Sequence, residues 1–212
     1  MNGSRMKTSV YVDGFNLYYG CLKKTSFKWL NLQVLCANLL GRHHVIDTIR
    51  YFTAPVIPND GNPKVHLRQQ AYIKALQTIK GMHIHNGRFT NRVARMPTVH
   101  PPPASVDVFR TEEKGTDVNF AVHLLNDAWK GRFDCAVLVT NDSDMAEAMR
   151  LVRSEFPDKT LGLIVPKGRP TPYLNRYAHF CKTISDSHLR EAQFASALPG
   201  LSGRLIHKPG SW

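Results

Sequence analysis

The sequence predicts an α/β protein with a central, mostly parallel sheet flanked by helices. Short apolar, β-branched runs alternate with segments of helical periodicity, and neither an internal repeat nor a domain-sized linker interrupts the alternation. Apolar runs also end in Asp-containing turns, as strands do on leaving a sheet.

Taken in order, Ser9-Val10-Tyr11-Val12 closed by Asp13-Gly14 predicts a strand over 8–13, with a helix starting near Asn16. The stretch "NLQVLCANLLG" predicts a helix over about 31–41 ended by Gly41, and "VIDTIRYFT" a strand over 45–53. A helix over about 63–80 and a strand over 82–90 follow. After Asn91 comes "RVARMPTVHPPPAS", whose run Pro101-Pro102-Pro103 fits neither helix nor central strand; an extended arm to Ser105 is expected. A strand near 106–110 returns to the body, and a helix opens near Thr116 with apolar spacing at Val118, Ala121, Val122 and Leu125. The most continuous apolar run, "FDCAVLVTND", reads as a buried strand, followed by a helix from Ser143 to about Ser154. The strands "TLGLIVP" and "HFCKTIS" complete one Rossmann-like domain. The end, "PGLSGRLIHKPGSW", is rich in Gly and Pro without periodicity and reads as a loose tail.

The chain's 212 residues carry 28 Lys and Arg against 16 Asp and Glu, a net charge of +12 that attracts polyanions. No apolar run approaches the roughly 18 residues of a membrane span, and the start lacks the apolar core of a signal peptide, so a cytoplasmic location is expected. Cys21, Cys36, Cys135 and Cys181 lack paired spacing and read as reduced residues. His43, His44, His83 and His85 lack zinc-site spacing and read as surface or pocket histidines.

Acids fall where strand ends and helix starts would gather them. Asp13 closes the first strand, Asp117 lies in the first turn of a helix, and Asp142 and Asp144 occupy the corner after the buried strand. Asp13 alone could cap a helix, and Asp117 alone could answer a helix dipole. Two acids in one turn repel unless a cation joins them, and hard oxygen donors suit magnesium or manganese. If the first strand and the strand ending at Thr140 are central neighbours, Asp13 joins the same rim. A basic surface with an acidic metal cluster points to phosphodiester hydrolysis. Arg88, Arg92 and Arg95, interleaved with Phe89, could track a nucleic-acid backbone and stack a base, or be a solvated loop.

The blocks "YVDGFNLYYG", "EEKGTDVNFAVHLLNDA" and "VLVTNDSDMAEAMRLV" resemble, in order and spacing, the NYN domain family, relatives of the PIN-like and flap-endonuclease-like nucleases. The resemblance spans roughly residues 8–190, leaving 1–7 as an N-terminal extension and 191–212 as a C-terminal tail. It implies a PIN-like Rossmannoid fold and a metal-dependent ribonuclease using Mg2+ or Mn2+, with RNA as partner; a homo-oligomer or protein partner stays open. Asp13, Asp117, Asp142 and Asp144 occupy the family's acidic positions and Asn16 its asparagine, which implies metal ligation by the acids and, for Asn16, a hold on the scissile phosphate or a metal-bound water. Thr140 and Asn141 are expected to assist. Lys114, where the family often has a lysine, would contact phosphate or pair with Glu112 or Glu113, themselves read as solvated charges. The family's serine-glycine before the last acids is here Thr140-Asn141, a change that touches substrate contacts more than metal binding.

Competing classes lack their marks. A haloacid-dehalogenase-like phosphatase needs a second aspartate where Phe15 stands, "DGFNLY" cannot form a dinucleotide-binding glycine turn, and no Walker loop is present. The remaining alternative is a noncatalytic RNA-binding module on the same fold.

Overall fold

The computed structural model describes residues 5–58, 61–100 and 102–212. The chain runs through β1 (Met6–Asp13), α1 (Gly14–Leu17) extended by a π-helical turn at Tyr18–Leu22, α2 (Leu32–Leu40), β2 (His44–Thr53), α3 (Val65–Gln77) and β3 (Met82–Asn86). Next come β4 (Arg88–Pro97), β5 (Ser105–Lys114), α4 (Thr116–Trp129) and β6 (Cys135–Val139). A 3-10 turn at Ser143–Met145 leads into α5 (Ala146–Glu155), then β7 (Thr160–Val165), α6 (Pro172–Asn175), β8 (Phe180–Thr183), α7 (Asp186–Glu191), β9 (Ala197–Pro199) and β10 (Leu205–His207).

Six strands form a parallel sheet in the order β3-β2-β1-β6-β7-β8. The expected adjacency of the first strand and the buried strand holds, with Val12 beside Val139. All five residues of β6 are buried, because helices cover both faces of the sheet. Alternation along β1 sends Val10 and Val12 to a core with Trp29, Leu35 and Leu76, and Tyr11 to a core with Phe120, Leu124 and Met149. Asn31 caps α2 by accepting from the N–H groups of Gln33 and Val34, and Gly41, at φ 82°, ends it.

Four expectations need correction. The strand expected over 82–90 breaks at Gly87, whose N–H donates to the Thr53 carbonyl. Beyond it the chain leaves the sheet, and the expected arm is β4, paired antiparallel with β5 from Arg88↔Lys114 to Pro97↔Ser105. Arg88, Arg92 and Arg95 therefore stand on a two-stranded ribbon. The proline run falls in the ribbon's connection, where no ladder bond is needed, and its Pro101 lies outside the described residues. The tail is ordered: β9 pairs with β10, and Trp212 packs against Trp29 and Tyr72 at 6.2 and 5.9 Å between ring centroids. Finally, α4 turns Phe120, Leu124 and Ala128 to the core and leaves Val118 and Val122 exposed. Both faces of this helix carry apolar residues, and the stripe with the larger Phe120 and Leu124 takes the core.

The four cysteines are free, with Cys36 and Cys135 buried. Among the described residues no helix is long and apolar enough to cross a membrane.

Candidate metal centre

Parallel pairing of β1 with β6 puts their carboxyl ends side by side, and the turns leaving them are tied together by side chains. Asp13 is only 6% exposed, and one carboxylate oxygen accepts from the Asn16 N–H at 2.9 Å. The other accepts from the Thr140 hydroxyl at 3.1 Å, and that hydroxyl accepts from the Asp142 N–H at 3.1 Å. The Asn16 side-chain carbonyl accepts from the Asn141 N–H at 2.9 Å. Gly14 is required by close approach, since a Cβ there would lie 2.7 Å from the Phe52 carbonyl oxygen and the Tyr51 ring.

The third acid arrives from α4. Gly115, at φ 94°, makes the left-handed turn from the ribbon into the helix, and Glu113 accepts from the N–H and hydroxyl of Thr116. Asp117 follows in the first turn. Asp13, Asp117 and Asp142 can each offer a carboxylate oxygen such that all three lie within 4.8 Å of one another. Asp144 is outside this trio: it is exposed on the 3-10 turn, and its N–H donates to the Asp142 carboxylate at 3.0 Å.

Crowding shows in the proton affinities. Burial, then the charges of Asp13, Asp142, Glu113 and Asp144, push Asp117 up to about 6. Asp13 is also raised, because burial outweighs the bonds from Asn16 and Thr140, and Asp142 adds to the effect. Three mutually repelling carboxylates with only oxygen to offer fit a hard divalent cation.

The trio opens into a cleft of about 400 Å³ also lined by Phe15, Asn16, Tyr19, Phe89 and Glu113. A neighbouring cleft of about 350 Å³ is lined by Arg88, Lys114, Asn86 and Asn119. Acidic and basic surfaces thus adjoin at the base of the ribbon.

The other expected site residues are divided. Thr140 is fully buried, and the Asn141 side chain accepts from the Thr171 N–H at 2.9 Å and donates to the Arg169 carbonyl at 3.2 Å. Both hold the corner in place. Lys114 pairs with Glu112 at 2.9 Å, Arg92 with the same carboxylate at 3.2 Å, and the Arg95 Nε donates to the Ser105 hydroxyl at 2.7 Å.

Two groups escaped the sequence reading. Glu113 is no solvated charge: it caps α4 and lines the acidic cleft, and its signal was an acid three residues before a helix-starting Thr. Asp127 lies on the core face of α4 and accepts from Arg50 at 2.7 and 3.0 Å, from the Tyr11 hydroxyl at 2.8 Å and from Arg132 at 3.0 Å. Burial raises its proton affinity, but the bonds from Arg50 and Tyr11 outweigh that and hold its carboxyl below the usual range. Arg50 also meets the His85 Nε2 at 3.1 Å; burial, then the nearby His123 and Arg50, lower His85 to about 4. The signal for Asp127 was an acid seven residues after Phe120 on an apolar stripe, a position that demands a partner.

Comparison with known proteins adds three findings. The model of the NYN domain family matches residues 7–184. The chain is 28% identical over 243 residues to the 6-hydroxy-3-succinoylpyridine 3-monooxygenase HspA of Pseudomonas putida, covering all of this chain and 77% of that protein. It also shares its fold, at a TM-score of 0.57 and 15% identity, with a protein of unknown function from Vibrio parahaemolyticus, over 92% of this chain and 99% of that one.

Proposed function

The chain belongs to the NYN domain family, and on that premise we propose that it is a metal-dependent endoribonuclease hydrolysing RNA phosphodiester bonds at the Asp13, Asp117 and Asp142 cluster. The observation that carries this is the convergence of three carboxylates, two of them with raised proton affinity, in a cleft beside a basic surface. Asp13, Asp117 and Asp142 would hold Mg2+ or Mn2+, with Asp144 extending the acidic rim. A divalent ion there supplies Lewis acidity toward a phosphate oxygen and activates water.

The chain's own residues supply the rest. The Asn16 amide, whose carbonyl is fixed by Asn141, presents its NH2 group at the cleft, where it can donate to a phosphate oxygen. Arg88 and Lys114, lining the adjoining cleft, would bind a flanking phosphate as charged donors. Phe15, Tyr19 and Phe89 offer ring faces and edges on which an unstacked base can rest. Thr140 and Asn141 act on substrate indirectly, by fixing Asp13, Asp142 and Asn16. Free cysteines and the basic surface fit a reducing, RNA-rich cytoplasm.

The relative named as a monooxygenase supports a second reading, since the same rings could stack a pyridine. Three converging carboxylates call for a hard divalent cation, which stacking a pyridine ring does not need and cleaving a phosphodiester does. Sequencing of RNA ends after incubation of mixed RNA with Mn2+ and either wild type or Asp142→Asn tests the proposal. New ends made by wild type alone support it. Absence of such ends, with oxygen uptake on 6-hydroxy-3-succinoylpyridine plus a reductant, would replace it with the oxidative reading.

A further inference from the structure

The half of the β4–β5 ribbon next to the body has two unlike faces. Residues opposite one another in an antiparallel pair share a face, and faces alternate along the strand. One face carries Phe89 with Glu113 and, farther out, Val93 with Phe109; the other carries Arg88 with Lys114 and Arg92 with Arg110.

The first face runs into the acidic cleft. Phe89 and Glu113 line that cleft, and Phe89 packs edge-on against Phe15 at 5.7 Å between centroids. Farther out, Val93 is 62% and Phe109 89% exposed. A phenyl ring so exposed on a ribbon that belongs to no larger sheet contributes to no core. On the second face Arg92, Arg110 and Lys114 all meet Glu112, at 3.2, 2.6 and 2.9 Å. Three cations share one carboxylate, so net positive charge remains, and Arg88 and Lys114 continue it into the basic cleft.

Resting on the nuclease reading above, we propose that the ribbon is a guide for single-stranded RNA. Unstacked bases lie on Phe109 and Val93 and pass Phe89 into the acidic cleft, while the backbone follows the ribbon's edge, where the long side chains of Arg88, Arg92 and Arg110 reach round from the other face to the phosphates. Phe109 stands opposite Val93, four residues beyond Phe89, which at about 3.4 Å per residue is about 14 Å, a span of a few nucleotides. A duplex does not fit, since its bases are stacked inside and offer no ring face. A second copy of the chain fits less well, because each copy carries +12 and the ribbon is rich in arginine.

The test is fluorescence anisotropy in the presence of a chelator, with a short labelled single-stranded RNA and the duplex made from it. Wild type should bind the single strand more tightly than the duplex. Phe109→Ala should weaken single-strand binding by about five- to one-hundredfold, with duplex binding unchanged and Phe109→Trp restoring affinity. Replacing Arg92 and Arg110 with Ala should lower the log–log salt slope by about 0.7 for each phosphate that is no longer neutralised. Equal binding of single strand and duplex, or wild-type affinity in Phe109→Ala, overturns the proposal. So does sedimentation showing that Phe109→Ala splits a dimer while RNA affinity is unchanged. With the metal chelated, binding is read without cleavage. A protein that behaves as expected here yet makes no RNA ends with Mn2+ keeps its guide and loses the nuclease assignment.

Discussion

The Thr140 hydroxyl donates to the Asp13 carboxylate at 3.1 Å and accepts from the Asp142 N–H at 3.1 Å, so one buried side chain holds both acids at the carboxyl ends of neighbouring strands. Thr140→Val keeps the shape and removes that link, leaving a buried acceptor and a donor unsatisfied. Divalent affinity should fall by about 10- to 100-fold, as for other outer positioning groups, and stability by about 1–3 kcal/mol. Thr140→Ser should retain most of both. Calorimetric titration and urea unfolding of the two variants measure the effects.

The acidic cleft should make the metal-free protein pH-dependent in a defined direction. Asp117 titrates at about 6 in the folded protein, above the value near 3.9 of a free aspartate. Its protonated form therefore favours the folded state: the contribution is complete below about pH 4 and lost as the pH rises through about 6. Asp13, also raised, acts in the same sense. In chelator, the melting temperature of wild type minus that of Asp117→Asn should fall from pH 4.5 to pH 7. A difference that stays constant, or rises, contradicts the crowding of the three acids.

Away from the cleft, Asp127 and Arg50 form a buried pair, their side chains 1% and 8% exposed. Asp127→Ala leaves the guanidinium buried without its partner and should cost about 3–5 kcal/mol in urea unfolding. Arg132→Ala removes only the half-exposed cation from the same carboxylate and should cost about 1 kcal/mol or less. Equal losses would mean that Arg50 finds another partner.

The middle of the sheet was legible because β1, β6 and β7 are buried along most of their length and so read as continuous apolar runs; "VYVD" and "CAVLVTND" announce both the strands and the acids at their ends. Asp13, Asp117 and Asp142 could be placed on one rim from that pattern. That Asp144 stands apart from the close trio was not legible, because it follows from a single 3-10 turn that points its backbone N–H at Asp142. The ribbon was hidden because its pairing joins residues such as Arg92 and Arg110 across a proline run that itself looks unstructured. The order of the tail was hidden for a similar reason: glycine and proline mark the local chain as irregular, while the anchor of Trp212, Trp29, lies at the other end of the sequence. Asp127 needed Arg50, which sits 77 residues away. Local pattern carries strands and turns, and contacts made across the fold escape it.

The most direct check of the acidic centre is calorimetric titration of Mn2+ into wild type and Asp142→Asn at neutral pH. Asp142→Asn removes one ligand charge from a partly exposed position, so the fold should persist and the metal-free melting temperature should hold or rise as repulsion is relieved. Wild type should bind the ion in the low-millimolar range or tighter, with a stabilisation of about 2.7 kcal/mol at one hundred times the dissociation constant, and Asp142→Asn should lose that binding. No heat of binding by wild type in the low-millimolar range, or equal binding by the two proteins, would contradict a divalent centre at Asp13, Asp117 and Asp142.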